Sequence, residues 1–175
     1  MPSLLRALRT LGTLLLLGVL AGCGAPRLRG SEYTDRGAHY FIGSVPSRWT
    51  ALSVDGDNDL AWHDPSAAAV IQINSTCDPG ADIPLAALTN HLLAGFTERE
   101  IREQTVVPMD GREALRTHAV ARLDGVPREL LFYVMKKDQC VYDMALVTPT
   151  GASFERALES FEPFVAAFRT ADGDE

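Results

Sequence analysis

The stretch EALRTHAVARLDGVPRELLFYVMKKDQCVYDMALVT, residues 113–148, decides the fold class. From Glu113 onward Leu115, Thr117, Ala119, Ala121 and Leu123 fall on one face, while Arg112, Arg116, His118 and Arg122 fall on the other. That two-residue period belongs to a strand rather than a helix. Asp124-Gly125 supplies the two residues of a tight hairpin turn. The centre of the next run, Leu130 to Met135, is almost continuously apolar, as in a strand covered on both faces. After Lys136-Lys137-Asp138 a third run extends from Cys140 to Thr148. Hairpin connections make these strands antiparallel.

Working outward, Ser153 to Phe168 carries Phe154, Leu158, Phe161, Val165 and Phe168 at helical spacing, with Pro163 expected to kink or restart the helix. Upstream, Leu85, Leu88, Leu92 and Phe96 form a second helical stripe, opened by Pro84 and capped by Asp82. Between this helix and the hairpins lies a charged stretch, Glu98 to Glu103, leading into Thr105-Val106-Val107. Short strands are expected at Tyr40-Phe41-Ile42, Trp49–Val54, Leu60–His63 and Ala68–Ser75. Residues 24–37 mix Pro, Gly and charges without apolar period and read as a tether. The expectation is one α+β domain over residues 39–170, an antiparallel sheet of about six to seven strands sandwiched by helices, followed by an acidic tail at 171–175.

The first 22 residues are of another kind. Arg6 and Arg9 precede the apolar run Leu11–Leu20, and no acidic residue occurs there. Ten apolar-biased residues are too few for a permanent span, which needs roughly 20, so the segment reads as a secretory signal. It ends at Leu20-Ala21-Gly22-Cys23, which resembles the lipobox of bacterial lipoproteins. The resemblance implies cleavage before Cys23, acylation of that cysteine and attachment to a lipid bilayer. It also implies a domain facing the periplasm. Gly24 stands where an Asp would mark inner-membrane retention in that family, which favours the outer membrane. Losing the leader and its two arginines leaves a more acidic chain of about 150 residues, long enough for an independent core.

Two cysteines remain, Cys77 and Cys140. In an exported protein an even pair reads as a disulfide, the other reading being two separate buried thiols. They lack the Cys-x-x-Cys spacing of an oxidoreductase and the histidine cluster of a zinc site.

The order of elements and several local phrases resemble the PsbP-like family, which takes in bacterial DcrB-like envelope lipoproteins. The phrases are Tyr40-Phe41-Ile42 through Pro46 to Trp49, the strands around Leu60 and Val70, and the closing helix Phe154–Phe168 with its Ser160-Phe161. The resemblance covers residues 40–169 and implies a helix-sandwiched antiparallel sheet with a binding or accessory role, not an enzyme. It transfers no functional residue and no cofactor.

A net charge of −7 and a pI near 5.1 exclude a general nucleic-acid binder, which neutralises phosphates with clustered cations. Asp55, Asp57 and Asp59 match the opening of a calcium loop, but Leu60 and Ser66 stand where Gly and Glu are required, so a solvated hairpin loop is expected. Arg112, Arg116, His118, Arg122 and Arg128 could meet lipid headgroups or an acidic partner; a face paired with carboxylates is the plainer reading. His39, His63, His91 and His118 are scattered, and there is no nucleophile elbow or phosphate loop. Trp49 and Trp62 read as core. The function expected is therefore a non-enzymatic envelope lipoprotein binding an unidentified envelope protein. The alternative is a lipid-binding protein or cryptic hydrolase with a pocket between helix and sheet.

Overall fold

The structure, a computed structural model, describes residues 27–54, 58–78 and 83–171. The leader, Cys23, Asp55 and Asp57 of the calcium-like loop, the Asp82 cap and tail residues 172–175 lie outside the described residues. Thirteen elements follow in chain order: β1 (Arg27–Arg29), β2 (Glu32–Asp35), β3 (Ala38–Phe41), β4 (Thr50–Leu52), β5 (Leu60–Asp64), β6 (Ala69–Cys77), α1 (Leu85–Leu92), β7 (Thr97–Met109), β8 (Arg112–Leu123), β9 (Val126–Lys137), β10 (Cys140–Thr148), α2 (Ala152–Ala166) and β11 (Arg169–Thr170).

The large sheet has seven strands in the order β4-β5-β6-β10-β9-β8-β7, all neighbours antiparallel. Leu123 pairs with Val126 across Asp124 and Gly125, both at positive φ, so the turn is the two-residue type read from the sequence. α2 packs on one face against Ile71, Ile73, Leu131, Met144 and Leu146. α1 covers part of the other through Leu92 and Leu93 on Ala119, Ala121, Leu130 and Phe132. Helices thus lie on both sides of the sheet, as expected. β9 is an interior strand, between β10 and β8, and all six residues from Leu130 to Met135 are buried, which explains why its sequence shows no alternation.

Four details differ from the sequence reading. First, the stretch read as a tether is folded from Arg27. β1, β2, β3 and β11 make a second, four-stranded sheet, and Tyr33 and Ala38 are buried in the core it shares with α2. Its strands are too short for periodicity to be visible. Second, the charged stretch from Glu98 is part of β7, a 13-residue edge strand. β7 is exposed on both faces over most of its length, so its side chains need no alternation; Pro108, which cannot donate to a ladder, is tolerated on an edge strand. Third, α1 ends at Leu92 and Gly95 turns the chain at positive φ, so Phe96 follows the helix rather than extending it.

Fourth, α2 runs through Pro163 to Ala166 without restarting. Pro163 sits in the last turn, where its carbonyl still accepts the N–H of Ala167, so the interruption affects little of the helix. Gly43 lies against this turn so closely that a Cβ there would stand 2.7 Å from the Phe164 Cα.

Candidate binding cleft

Three elements converge at one end of the sheet. Val107 and Met109 from β7, Tyr133 from β9, and Glu162, Val165 and Phe168 from the end of α2 border a cleft of about 360 Å³. That volume lies at the small end of the range for ligand pockets. Its walls mix apolar side chains with polar groups, Asp110, Tyr133 and Glu162, that are engaged by neighbours. The Tyr133 hydroxyl donates to Glu162 Oε2 at 2.8 Å and accepts from Arg116 Nε at 3.0 Å. Arg116 also reaches Glu103 at 3.0 Å and Glu162 at 3.4 Å. Burial, reinforced by the hydrogen bond to Glu162, pushes the Tyr133 hydroxyl up to about 12. It therefore stays protonated at neutral pH and acts as a hydrogen-bond donor, not a base.

Asp110 closes the lower rim. Its Oδ2 accepts from Lys137 Nζ at 2.9 Å, from the Thr170 N–H at 2.9 Å and from the Thr170 hydroxyl at 2.8 Å. Burial opposes its charge, but these donors outweigh burial and hold its carboxyl below the usual value. The turn between β7 and β8 is thereby tied to β11.

A second polar cluster joins the two sheets. Asp59, buried, accepts from the Tyr40 hydroxyl at 3.0 Å and from Ser75 Oγ at 2.5 Å. Burial raises the Asp59 carboxyl despite these donors, and burial together with Asp59 raises Tyr40. Asp35, Arg36, Asp59, Ser75, Thr76 and Cys77 border a smaller recess of about 300 Å³ beside it.

The residues singled out from the sequence distribute as follows. Cys77 and Cys140 are directly opposite one another on β6 and β10 and form a disulfide. Within the basic stripe, Arg122 pairs with Glu98 at 2.7 Å, His118 with Glu129 at 2.9 Å, and Arg116 with Glu103 and Glu162. His118 also stacks on Phe154 at 4.8 Å. That face is thus satisfied internally, with α2 covering part of it; Arg112 is exposed and Arg128 half-buried. Trp49 and Trp62 are buried, Trp62 edge-on to Phe164 at 5.8 Å. Among the described residues no group of three or more His, Cys, Asp or Glu is arranged to hold a metal ion. Among the same residues no helix is long and apolar enough to cross a membrane.

Sequence reasoning missed Tyr133 and Glu162 as partners. Tyr133 sits in an apolar run and Glu162 in a helix, 29 residues apart. The one available signal was the polar tip of Tyr133 within an otherwise apolar strand, since a buried hydroxyl requires a partner.

No protein-family model matches the chain, and no curated protein matches it significantly by sequence. Solved structures do resemble it. A cyanobacterial PsbP from Synechocystis sp. PCC 6803 superposes with a TM-score of 0.58 at 18% identity, over 89% of this chain and 99% of that one. LpqN of Mycobacterium tuberculosis, involved in cell envelope biogenesis, gives 0.54 at 13% identity, over 84% and 90%. A protein from Bacteroides thetaiotaomicron gives 0.56 at 11% identity over 78% of this chain, which spans 46% of that longer protein. The domain is an α+β domain with a PsbP-like fold.

Proposed function

We propose that this protein is a lipid-anchored component of the bacterial envelope whose PsbP-like domain, facing the periplasm, binds or supports another envelope component without catalysing a reaction. The observation that carries this reading is the Cys77–Cys140 disulfide between adjacent strands, because such bonds persist in oxidising compartments outside the cytoplasm. The lipobox-like Leu20-Ala21-Gly22-Cys23 supplies the route there. Two acyl chains on Cys23 would make the attachment stable where one is marginal. The outer membrane is the expected site, from Gly24 following the cysteine. An accessory role accords with the polar groups of the cleft, which are engaged with one another: Tyr133 is a fixed donor and Glu162 is held by Arg116.

Labelled palmitate should enter the wild type and not Cys23→Ala; persistent labelling of the variant would remove the lipoprotein reading. Crosslinking of the anchored protein in cells should recover a defined partner, and recovery of abundant neighbours alone would count against a binding role. The cleft favours a second reading, a protein that holds a small apolar ligand or lipid tail beside Phe168 and Met109. Lipid co-purifying with the wild type, and lost in Met109→Lys, would select it.

A further inference from the structure

The stretch between Cys23 and β1 is very short. Only Gly24, Ala25 and Pro26 separate the lipobox cysteine from Arg27, the first residue of β1. Four residue steps span at most about 14 Å, less than the width of a domain whose radius of gyration is about 15 Å. A chain anchored at Cys23 keeps the start of β1 within about 14 Å of the acylated cysteine, close enough for one face of the domain to reach the bilayer.

The described element that follows the anchor in sequence is β1, the edge strand of the small sheet, whose outer side is exposed. Strand register puts Arg29 opposite Glu32, Glu32 opposite Phe41, and Phe41 opposite Arg169, with Thr34 opposite His39, all on the side away from buried Tyr33 and Tyr40. Arg29, Thr34, His39 and Arg169 are exposed, and the Arg169 guanidinium lies over the Phe41 ring at 4.3 Å. The carboxylate on this face, Glu32, is engaged by His39 at 2.8 Å, and Asp35 at its edge is turned inward and paired with Arg36. In a chain of net charge −7 this is a cationic face with an aromatic side chain at hand, a composition that suits an anionic headgroup layer.

We propose that Arg29 and Arg169 seat the small sheet on the anionic headgroups of the bilayer that holds Cys23, with Phe41 at the interface. The proposal rests on the lipoprotein reading, and the two are tested separately. The full acylated chain carries a fluorophore at Thr34→Cys on this face or, as control, at Asn90→Cys on α1, across the large sheet. It is placed in protein-free vesicles of phosphatidylglycerol and phosphatidylethanolamine, and quenching by neutral acrylamide is compared with that in nonionic detergent. Vesicles should reduce quenching at Thr34 by threefold or more and leave Asn90 unchanged. Arg29→Glu with Arg169→Glu should restore it, both side chains being exposed.

Equal quenching of the Thr34 probe in vesicles and detergent, on protein that does carry palmitate, would overturn the docking and leave the lipoprotein reading standing. Absence of palmitate on Cys23 would overturn the lipoprotein reading itself. Protection that persists after charge reversal, or in pure phosphatidylcholine, would refute the headgroup contact. Protection seen only in native membranes would assign the face to a protein partner instead.

Discussion

Asp143 lies in the middle of β10, opposite Asn74 on β6 and Val134 on β9, two central-sheet positions where a carboxylate loses most of its water. Its one hydrogen bond among the described residues is accepted from Asn74 Nδ2 at 3.0 Å. Burial, with Asp59 adding to it, outweighs that bond and pushes the carboxyl up to about 6. Against an unfolded value of about 3.9, this corresponds to about 3 kcal/mol. The folded state holds the proton more tightly, so the associated stability is fully present below about pH 4 and is lost as pH rises through 6. At neutral pH the charged carboxylate is a net cost. Asp143→Asn keeps the shape and the acceptor for Asn74 while removing the charge. Urea unfolding followed by the fluorescence of buried Trp49 and Trp62 should show a gain approaching 3 kcal/mol at pH 7.5, a midpoint shift of about 1–2 M. At pH 4 the gain should shrink to about 0.5 kcal/mol. A variant no more stable than wild type at pH 7.5, or equally stabilised at both pH values, would refute the reasoning.

Three further outcomes are expected. Gly43→Ala should destabilise by about 1–3 kcal/mol, because the added methyl meets the Phe164 backbone rather than a movable side chain; an unchanged melting temperature would contradict it. Arg48→Met strips buried Asp64 of its half-exposed cationic partner, which donates at 2.8 Å and also bonds Ser160, while Ser66 still donates to it, and should cost about 1–3 kcal/mol at pH 7. Although burial opposes it, hydrogen bonds from Ser66 and Arg48 hold the Asp64 carboxyl below its usual value, so the bridge contributes above about pH 4 and is lost as pH falls; the deficit should therefore shrink in acid unfolding curves. Replacing both Cys77 and Cys140 by Ala opens a 63-residue loop and should cost roughly 4 kcal/mol, a fall in melting temperature on the order of 10 °C by scanning calorimetry.

The parts legible in the sequence are those in which packing repeats often enough to leave a period. β8 alternates from Leu115 to Ala121 because one face meets α1 and the other carries Arg116 and His118 beneath α2. α2 shows Phe154, Phe161 and Val165 on a stripe because it lies along the sheet for fifteen residues. β7 escaped because an edge strand exposed over most of its length has no buried face to mark it. β2 escaped because it contributes a single buried side chain, Tyr33, whereas β3 was legible at Tyr40-Phe41 and only its start at Ala38 was not. The cleft was invisible for a different reason: Arg116, Tyr133 and Glu162 belong to three elements whose register fixes their meeting, and no local spacing encodes it.

The N-terminal strands, once admitted to the fold, change how its surfaces relate. Tyr40 packs against Phe168 at 5.5 Å and Tyr142 at 5.9 Å, so the small sheet is joined to the large one through the same aromatic cluster that ends α2. Three successive residues then serve three environments. Phe168 borders the cleft, Arg169 lies on the outer face over Phe41, and Thr170 turns inward to Asp110. The cleft and the cationic face are therefore adjacent rather than opposed. Thr170, donating both its N–H and its hydroxyl to one carboxylate oxygen, keeps that short strand in place. Were the domain to rest on headgroups through Arg169 as proposed, its cleft would lie near the membrane surface, within reach of a partner in the same bilayer.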